Sequence, residues 1–271
     1  HADSLRRLIE EKSYGHPAAR WIGVPTTAGT GSEVTCWATI WDPERDAKRS
    51  VECRENYAFA ALVDPELAAG MPVTLAVSSA LDAAAHAVES YWAKGTNAVS
   101  RGLALEAIRT IMGHMDGLLA GTMEAHEAMA RGSMLAGLAF SNTKTTACHS
   151  ISYPLTMHCG IPHGAAVSML LGPVFQLNAQ ALARPEPLLD ALGVSSPEEL
   201  AEKVCGILRR SGQPATLKEW GAQREELPRL ARLGMTKGRA DNNPVPIEPA
   251  TILSILEQIY DSSCKLTRKG A

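Results

Sequence analysis

The spacing of apolar residues along this chain changes near residue 70. Before that point they come in short runs closed by turn residues. Trp21-Ile22-Gly23-Val24-Pro25 ends on a proline and suits a buried strand. Val34 to Trp41 is β-branched and aromatic and stops at Asp42-Pro43-Glu44, and Phe59-Ala60-Ala61-Leu62-Val63 stops at Asp64-Pro65. Residues 1–20 read as a short polar helix and a loop. From Met71-Pro72-Val73-Thr74, with proline near the first turn of a helix, the spacing becomes three and four residues. Long Ala/Leu-rich segments then cover 74–93, 97–120, 124–139, 145–157 and 164–182. Helical patterning continues over 196–211, 216–220, 225–234 and 248–261, broken at Gly212-Gln213-Pro214 and Asn242-Asn243-Pro244. The pattern predicts two parts: a small α/β piece over 1–69 and an all-α domain over 70–271. No internal repeat or low-complexity tract interrupts them.

Composition narrows the class. Apolar residues make up 45% and charged residues 20% of 271 residues, the balance of a soluble globular chain with a sizeable core. The net charge of -3, with no basic block, gives no reason to expect a nucleic-acid partner. No apolar run approaches the ~18 residues that span a bilayer, and His1-Ala2-Asp3-Ser4-Leu5-Arg6-Arg7 lacks the order of a signal peptide. A cytoplasmic location is therefore expected. Cys36, Cys53, Cys148, Cys159, Cys205 and Cys264 form no CxxC pair and read as buried free thiols.

The chemistry concentrates in two histidine clusters. Asp82 and His86, four apart in an Ala-rich helix, project from one face one turn from each other. Bare burial of either group would cost several kcal/mol, on the order of 2–7, so each needs a partner. The second cluster holds His149, His158 and His163. A helix carrying His149 is expected to end soon after Pro154, and Gly160-Ile161-Pro162 then sets His163 at the next helix start. Three imidazoles and one carboxylate suit Fe²⁺ or Zn²⁺ with positions left open. On spacing alone, a simple Asp–His hydrogen bond within a packing face stays open beside the metal reading. His158 is expected on a loop surface, and His114 and His126 on helix surfaces.

Four stretches in register carry a resemblance: Pro25 to Thr35 (PTTAGTGSEVT), Val63-Asp64-Pro65-Glu66-Leu67, Leu81 to Glu89 (LDAAAHAVE) and Ile161-Pro162-His163-Gly164. Together they resemble the iron-containing (group III) alcohol dehydrogenases, from about residue 21 to Asn243-Pro244. The resemblance implies the dehydroquinate synthase-like, iron-dependent alcohol dehydrogenase fold. It implies metal ligands at Asp82, His86, His149 and His163, and a nicotinamide cofactor, NADH or NADPH, held by Thr26, Thr27, Thr30, Thr35 and Lys48. Small residues, hydroxyls and a lysine suit a pyrophosphate. It also implies a homodimer. The family's Gly-Gly-Gly-Ser dinucleotide loop has no counterpart before Trp21, so residues 1–69 read as part of that domain. Where many members carry a further histidine four residues after the third ligand, this chain has Tyr153, a phenol whose ordinary pKa near 10 makes it a poorer proton shuttle.

The run Ser141-Asn142-Thr143-Lys144-Thr145, with His149-Ser150-Ile151-Ser152-Tyr153-Pro154, resembles the phosphonoacetaldehyde reductase branch. That implies a small aldehyde substrate with an anionic tail. Lys144 among threonine hydroxyls is the expected clamp, with Tyr153 beside it; Arg239 and Trp37 are further candidates for pocket lining. A general short-chain alcohol or lactaldehyde dehydrogenase and a non-redox metal-binding helical module remain as alternatives.

Overall fold

A computed structural model describes residues 2–11, 20–42, 44 and 47–261. Helix α1 (Ala2–Glu11) is tied to the strand that ends at Asp42 by Arg6. The guanidinium donates Nε to Asp42 Oδ2 at 2.8 Å and Nη2 to Oδ1 at 2.6 Å, a planar fork on a carboxylate. Four short strands precede the helical body. β1 (Ile22–Gly23) pairs in parallel with β4 (Ala60–Ala61), and β2 (Trp37–Asp42) pairs antiparallel with β3 (Ala47–Glu52). The apolar pattern does not announce β3. Its sequence AKRSVE holds one β-branched residue, so pairing with β2 rather than propensity makes it a strand.

The expectation of a buried strand over 21–25 fails. Ile22 is 56% and Phe59 66% exposed, and only Gly23 is buried, against Glu33. Parallel strands are ordinarily covered on both faces. Here Ile22 and Ala61 remain exposed.

The helical body follows as α2 (Glu66–Ala69), α3 (Val73–Trp92), α4 (Ala98–Gly113), α5 (Met115–Leu119), α6 (Met123–Ser141), α7 (Ala147–Cys159), α8 (His163–Met169) and α9 (Leu171–Asn178). It closes with α10 (Glu186–Leu192), α11 (Pro197–Arg210), α12 (Leu227–Leu233) and α13 (Pro249–Asp261). Several starts are written locally. Asn97 caps α4 by accepting from the Val99 and Ser100 amides at 3.0 Å, and Ser196 with Pro197 opens α11. The expected single helix over 97–120 breaks at His114, and that over 164–182 breaks at Leu170, because Pro173 has no N–H for the Met169 carbonyl. Conversely, α7 runs through Pro154 to Cys159 instead of stopping there. Residues 216–220 form a turn rather than a helix, and α10 has no counterpart in the apolar pattern.

α3 is the axis of this body. Every residue from Ala80 to Trp92 is buried, with α4, α6 and α8 packed around it. A helix enclosed on all sides has to be narrow as well as apolar, and Ala80, Ala83, Ala84, Ala85 and Ala87 supply both while favouring the helix itself. No helix among the described residues is long and apolar enough to cross a membrane. Cys36, Cys53, Cys148, Cys159 and Cys205 are free thiols, though Cys53 and Cys159 are only half-buried; Cys264 lies outside the described residues.

A close backbone approach joins α8 to α3. A Cβ at Gly164 would run into the Ser78 carbonyl, one residue after His163 and one turn before Asp82. Gly164→Ala is expected to destabilise the chain by about 1–3 kcal/mol through overpacking of backbone on backbone. A urea titration measures this, and an unchanged midpoint would contradict the close approach.

Candidate metal centre

The site grows from one face of α3. Asp82, His86 and Glu89 follow at spacings of four and three, and α7 begins opposite them. Glu89 is 0% exposed, and a buried carboxylate must be saturated with donors. Its Oε1 accepts from Thr146 Oγ1 at 2.7 Å, from the Cys148 amide at 2.7 Å and from the His149 amide at 3.4 Å. Its Oε2 takes a short hydrogen bond from His149 Nδ1. One carboxylate thus caps the N-terminus of α7, where amides lack intrahelical partners, and orients the histidine on its first turn. Trp92 Nε1 completes the cluster by donating to Thr146 Oγ1 at 2.8 Å. With Nδ1 engaged as a donor, the neutral form of His149 presents the lone pair of Nε2 to the interior, while, against burial, Glu89 and Asp82 beside it raise its pKa.

That lone pair meets the groups the sequence singled out. His149 Nε2 lies 3.4 Å from Asp82 Oδ1, His163 Nε2 lies 3.9 Å from the same oxygen, and His86 Nδ1 lies 4.0 Å from Asp82 Oδ2. The His86 and His149 rings stack at 4.4 Å, and Phe140 closes the other face of His86 at 4.2 Å. His163 enters from the start of α8 because Gly160, at φ 66, ends α7 in the left-handed region and turns the chain. Asp82, His86 and His149 are nearly inaccessible, whereas the His163 side chain is 27% exposed, so the cluster opens on the His163 side.

The electrostatics favour a cation here. Burial by itself would raise the Asp82 carboxyl, but His86, His163 and His149 together hold it well below the usual carboxylate range. Burial lowers His86 to about 4, against the pull of Asp82, so its imidazole is neutral and has a free lone pair. Among the described residues no hydrogen-bond partner meets the buried atoms Asp82 Oδ1, His86 Nδ1 and His149 Nε2, and the three residues' ligand atoms lie within 4.8 Å of one another. Orphaned buried acceptors of this kind cost about 1–3 kcal/mol each, and a divalent ion among them removes that cost. The donor set fits Fe²⁺ or Zn²⁺. Cys148 stays out of it: burial raises its thiol well above the ordinary range, and Glu89 raises it further.

The other sequence candidates fall around this cluster. Thr26 and Thr30 are exposed, Thr27 half-buried and Thr35 buried. Their loop is seated rather than loose: Gly29 lies against Ser79 of α3, and Gly31, at φ 58, lies against Gly137 of α6. Lys48 pairs through its backbone with Trp41 on β2, and its side chain lies outside the described part. Lys144 Nζ is 2.7 Å from Glu52 Oε2. Tyr153 is buried, stacks on His163 at 5.7 Å and has Arg239 over its ring at 5.7 Å. Burial pushes its phenol up to about 12, so it is a donor and not a base. Trp37 stacks on Phe140 at 5.4 Å, behind His86.

His158 sits half-buried in the last turn of α7 rather than on a loop, and His126 is buried on α6 rather than exposed. Glu89 is the functional residue that the reading of spacing overlooked. Its position, seven after Asp82 and three after His86, was the available signal.

The Fe-containing alcohol dehydrogenase family, C-terminal, matches residues 76–260, and Iron-containing alcohol dehydrogenase matches residues 2–65. Lactaldehyde reductase of Escherichia coli K12 is 32% identical over 250 residues, covering 89% of this chain; the chain spans 65% of that protein's length. The 1,3-propanediol dehydrogenase of Klebsiella pneumoniae is 30% identical over 273 residues, 96% of this chain and 70% of its own. Among solved structures, sulfoacetaldehyde reductase from Bifidobacterium kashiwanohense in complex with NAD+ superposes with a TM-score of 0.83 at 28% identity. That match covers 93% of this chain and 69% of the other.

Glu89→Gln retains an acceptor for the α7 amides but removes the charge that polarises His149. The variant is expected to fold while its metal affinity falls about 10- to 100-fold, read by chelator competition. An affinity equal to wild type would show that Glu89 only caps the helix.

Proposed function

The chain belongs to the iron-containing alcohol dehydrogenase family, and from that premise we propose that it reduces a small aldehyde to an alcohol with NADH or NADPH. The observation that carries this reading is the convergence of Asp82, His86, His149 and His163 around unpartnered buried acceptor atoms. These four residues would hold Fe²⁺ or Zn²⁺. The ion supplies Lewis-acid polarisation of a carbonyl oxygen. Glu89 keeps His149 in the tautomer that offers Nε2. Tyr153, protonated throughout the neutral range, packs its ring on His163, the ligand at the open side. Thr26, Thr27, Thr30, Thr35 and Lys48 would hold the cofactor, on a loop braced against α3 and α6.

The preferred substrate in this reading is phosphonoacetaldehyde, giving 2-hydroxyethylphosphonate. The likeness to a protein named for sulfoacetaldehyde, an aldehyde with an anionic tail, supports it. A cytoplasmic homodimer is part of the same reading. The likeness to lactaldehyde reductase favours a second reading, in which the tail is uncharged.

Both readings require the metal set. Asp82→Ala is expected to lose bound metal and to slow aldehyde-dependent NAD(P)H oxidation by more than about a hundredfold. Undiminished turnover in that variant would sink the dehydrogenase assignment. The ratio of kcat/KM for phosphonoacetaldehyde over lactaldehyde separates the substrates: about tenfold or more supports the anionic tail, and a ratio below one supports the second reading.

A further inference from the structure

Two cations stand near the centre, and their surroundings differ. Lys144 occupies φ 62, the one non-glycine position at positive φ among the described residues. Its Nζ is spoken for by Glu52 Oε2 at 2.7 Å, with both side chains about half exposed. Arg239 has no carboxylate within ion-pair distance among the described residues. It is half-buried, its Nη1 donates to Thr145 Oγ1, and its guanidinium lies 5.7 Å over the Tyr153 ring that stacks on His163. An arginine set on the ring that stacks on His163, and left without an acid among the described residues, has its charge available to an anion.

The segment that carries it is tightly held. Ser150 Oγ accepts from the Thr236 amide at 2.8 Å and donates to the Gly234 carbonyl. Asn242 Nδ2 donates to the carbonyls of Thr143 at 2.8 Å and Thr145 at 3.0 Å. Asn243 and Asn178 exchange amide hydrogen bonds at 2.8 and 3.0 Å in full burial. Residues 234–243 are thereby clamped over the start of α7, and Arg239 is aimed before any ligand arrives. Thr145, 1% exposed, accepts from Arg239 and keeps its own O–H for a second acceptor. A guanidinium fork with an adjacent hydroxyl matches two oxygens of a tetrahedral oxyanion.

We propose that Arg239, with Thr145, is the receptor for the anionic tail of the substrate, a phosphonate or sulfonate on a two-carbon aldehyde, and that Lys144 is not. The inference rests on the aldehyde-reductase reading but is tested apart from it, with ethylphosphonate and ethanesulfonate as non-reacting probes. In titration calorimetry of the metal-loaded protein, Arg239→Gln is expected to weaken ethylphosphonate binding about 10- to 100-fold. Lys144→Gln is expected to weaken it less than about fivefold, and Arg239→Lys to recover part of the loss. Ethanesulfonate, with one charge fewer, is expected to follow the same ranking with weaker binding. The same Arg239→Gln variant should raise KM for phosphonoacetaldehyde more than for propanal. No binding of either probe by the wild type, or a Lys144→Gln loss as large as that of Arg239→Gln, would overturn the proposal. Arg239-dependent probe binding without aldehyde reduction would support the receptor while removing the reductase reading.

Discussion

The centre depends on one buried carboxylate. Glu89 carries its charge with no solvent contact, so its oxygens have to be filled by donors from somewhere, and the nearest donors are the unpaired amides at the start of α7. Satisfying that requirement docks α7 on α3 at a fixed register. The same contact engages Nδ1 of His149 and turns its other nitrogen toward Asp82. A capping interaction and a ligand-orienting interaction are therefore a single constraint, and loosening either loosens both.

The narrowness of α3 extends the consequence. Because alanines line most of its circumference, α8 can approach until Gly164 touches the Ser78 backbone, which brings His163 within reach of Asp82. On the other side, Gly29 and Gly31 let the hydroxyl-rich loop sit on α3 and α6. The stack of Trp37, Phe140 and His86 links β2 to the same centre. Loop, helices and ligand cluster share one support, which is the arrangement that the proposed reduction requires, since cofactor and metal would act on the carbon and the oxygen of one carbonyl group.

Much of this was legible along the chain. The change of apolar spacing near residue 70, the helix start at Pro72-Val73 and the pairing of Asp82 with His86 on one face all follow from local periodicity, which reports which side of an element is buried. Local signals failed where a partner far away made the decision. β3 is a strand because β2 pairs with it, α7 passes through Pro154 because packing outweighs one lost hydrogen bond, and Ile22 is exposed although its run is apolar.

The sequence by itself determined the chemistry of the site: three imidazoles and a carboxylate, a hydroxyl-rich glycine loop, and cations near residues 144 and 239. Only the tertiary structure decided which atoms face which. Spacing could nominate Lys144 because it stands five residues before a ligand, but it could not show that Glu52, ninety-two residues away, lies 2.7 Å from its ammonium. Nor could it show that Arg239 meets Thr145, ninety-four residues away, with no acid beside it among the described residues. Charge compensation is a property of neighbours in space, and neighbours in space are set by packing, not by position along the chain.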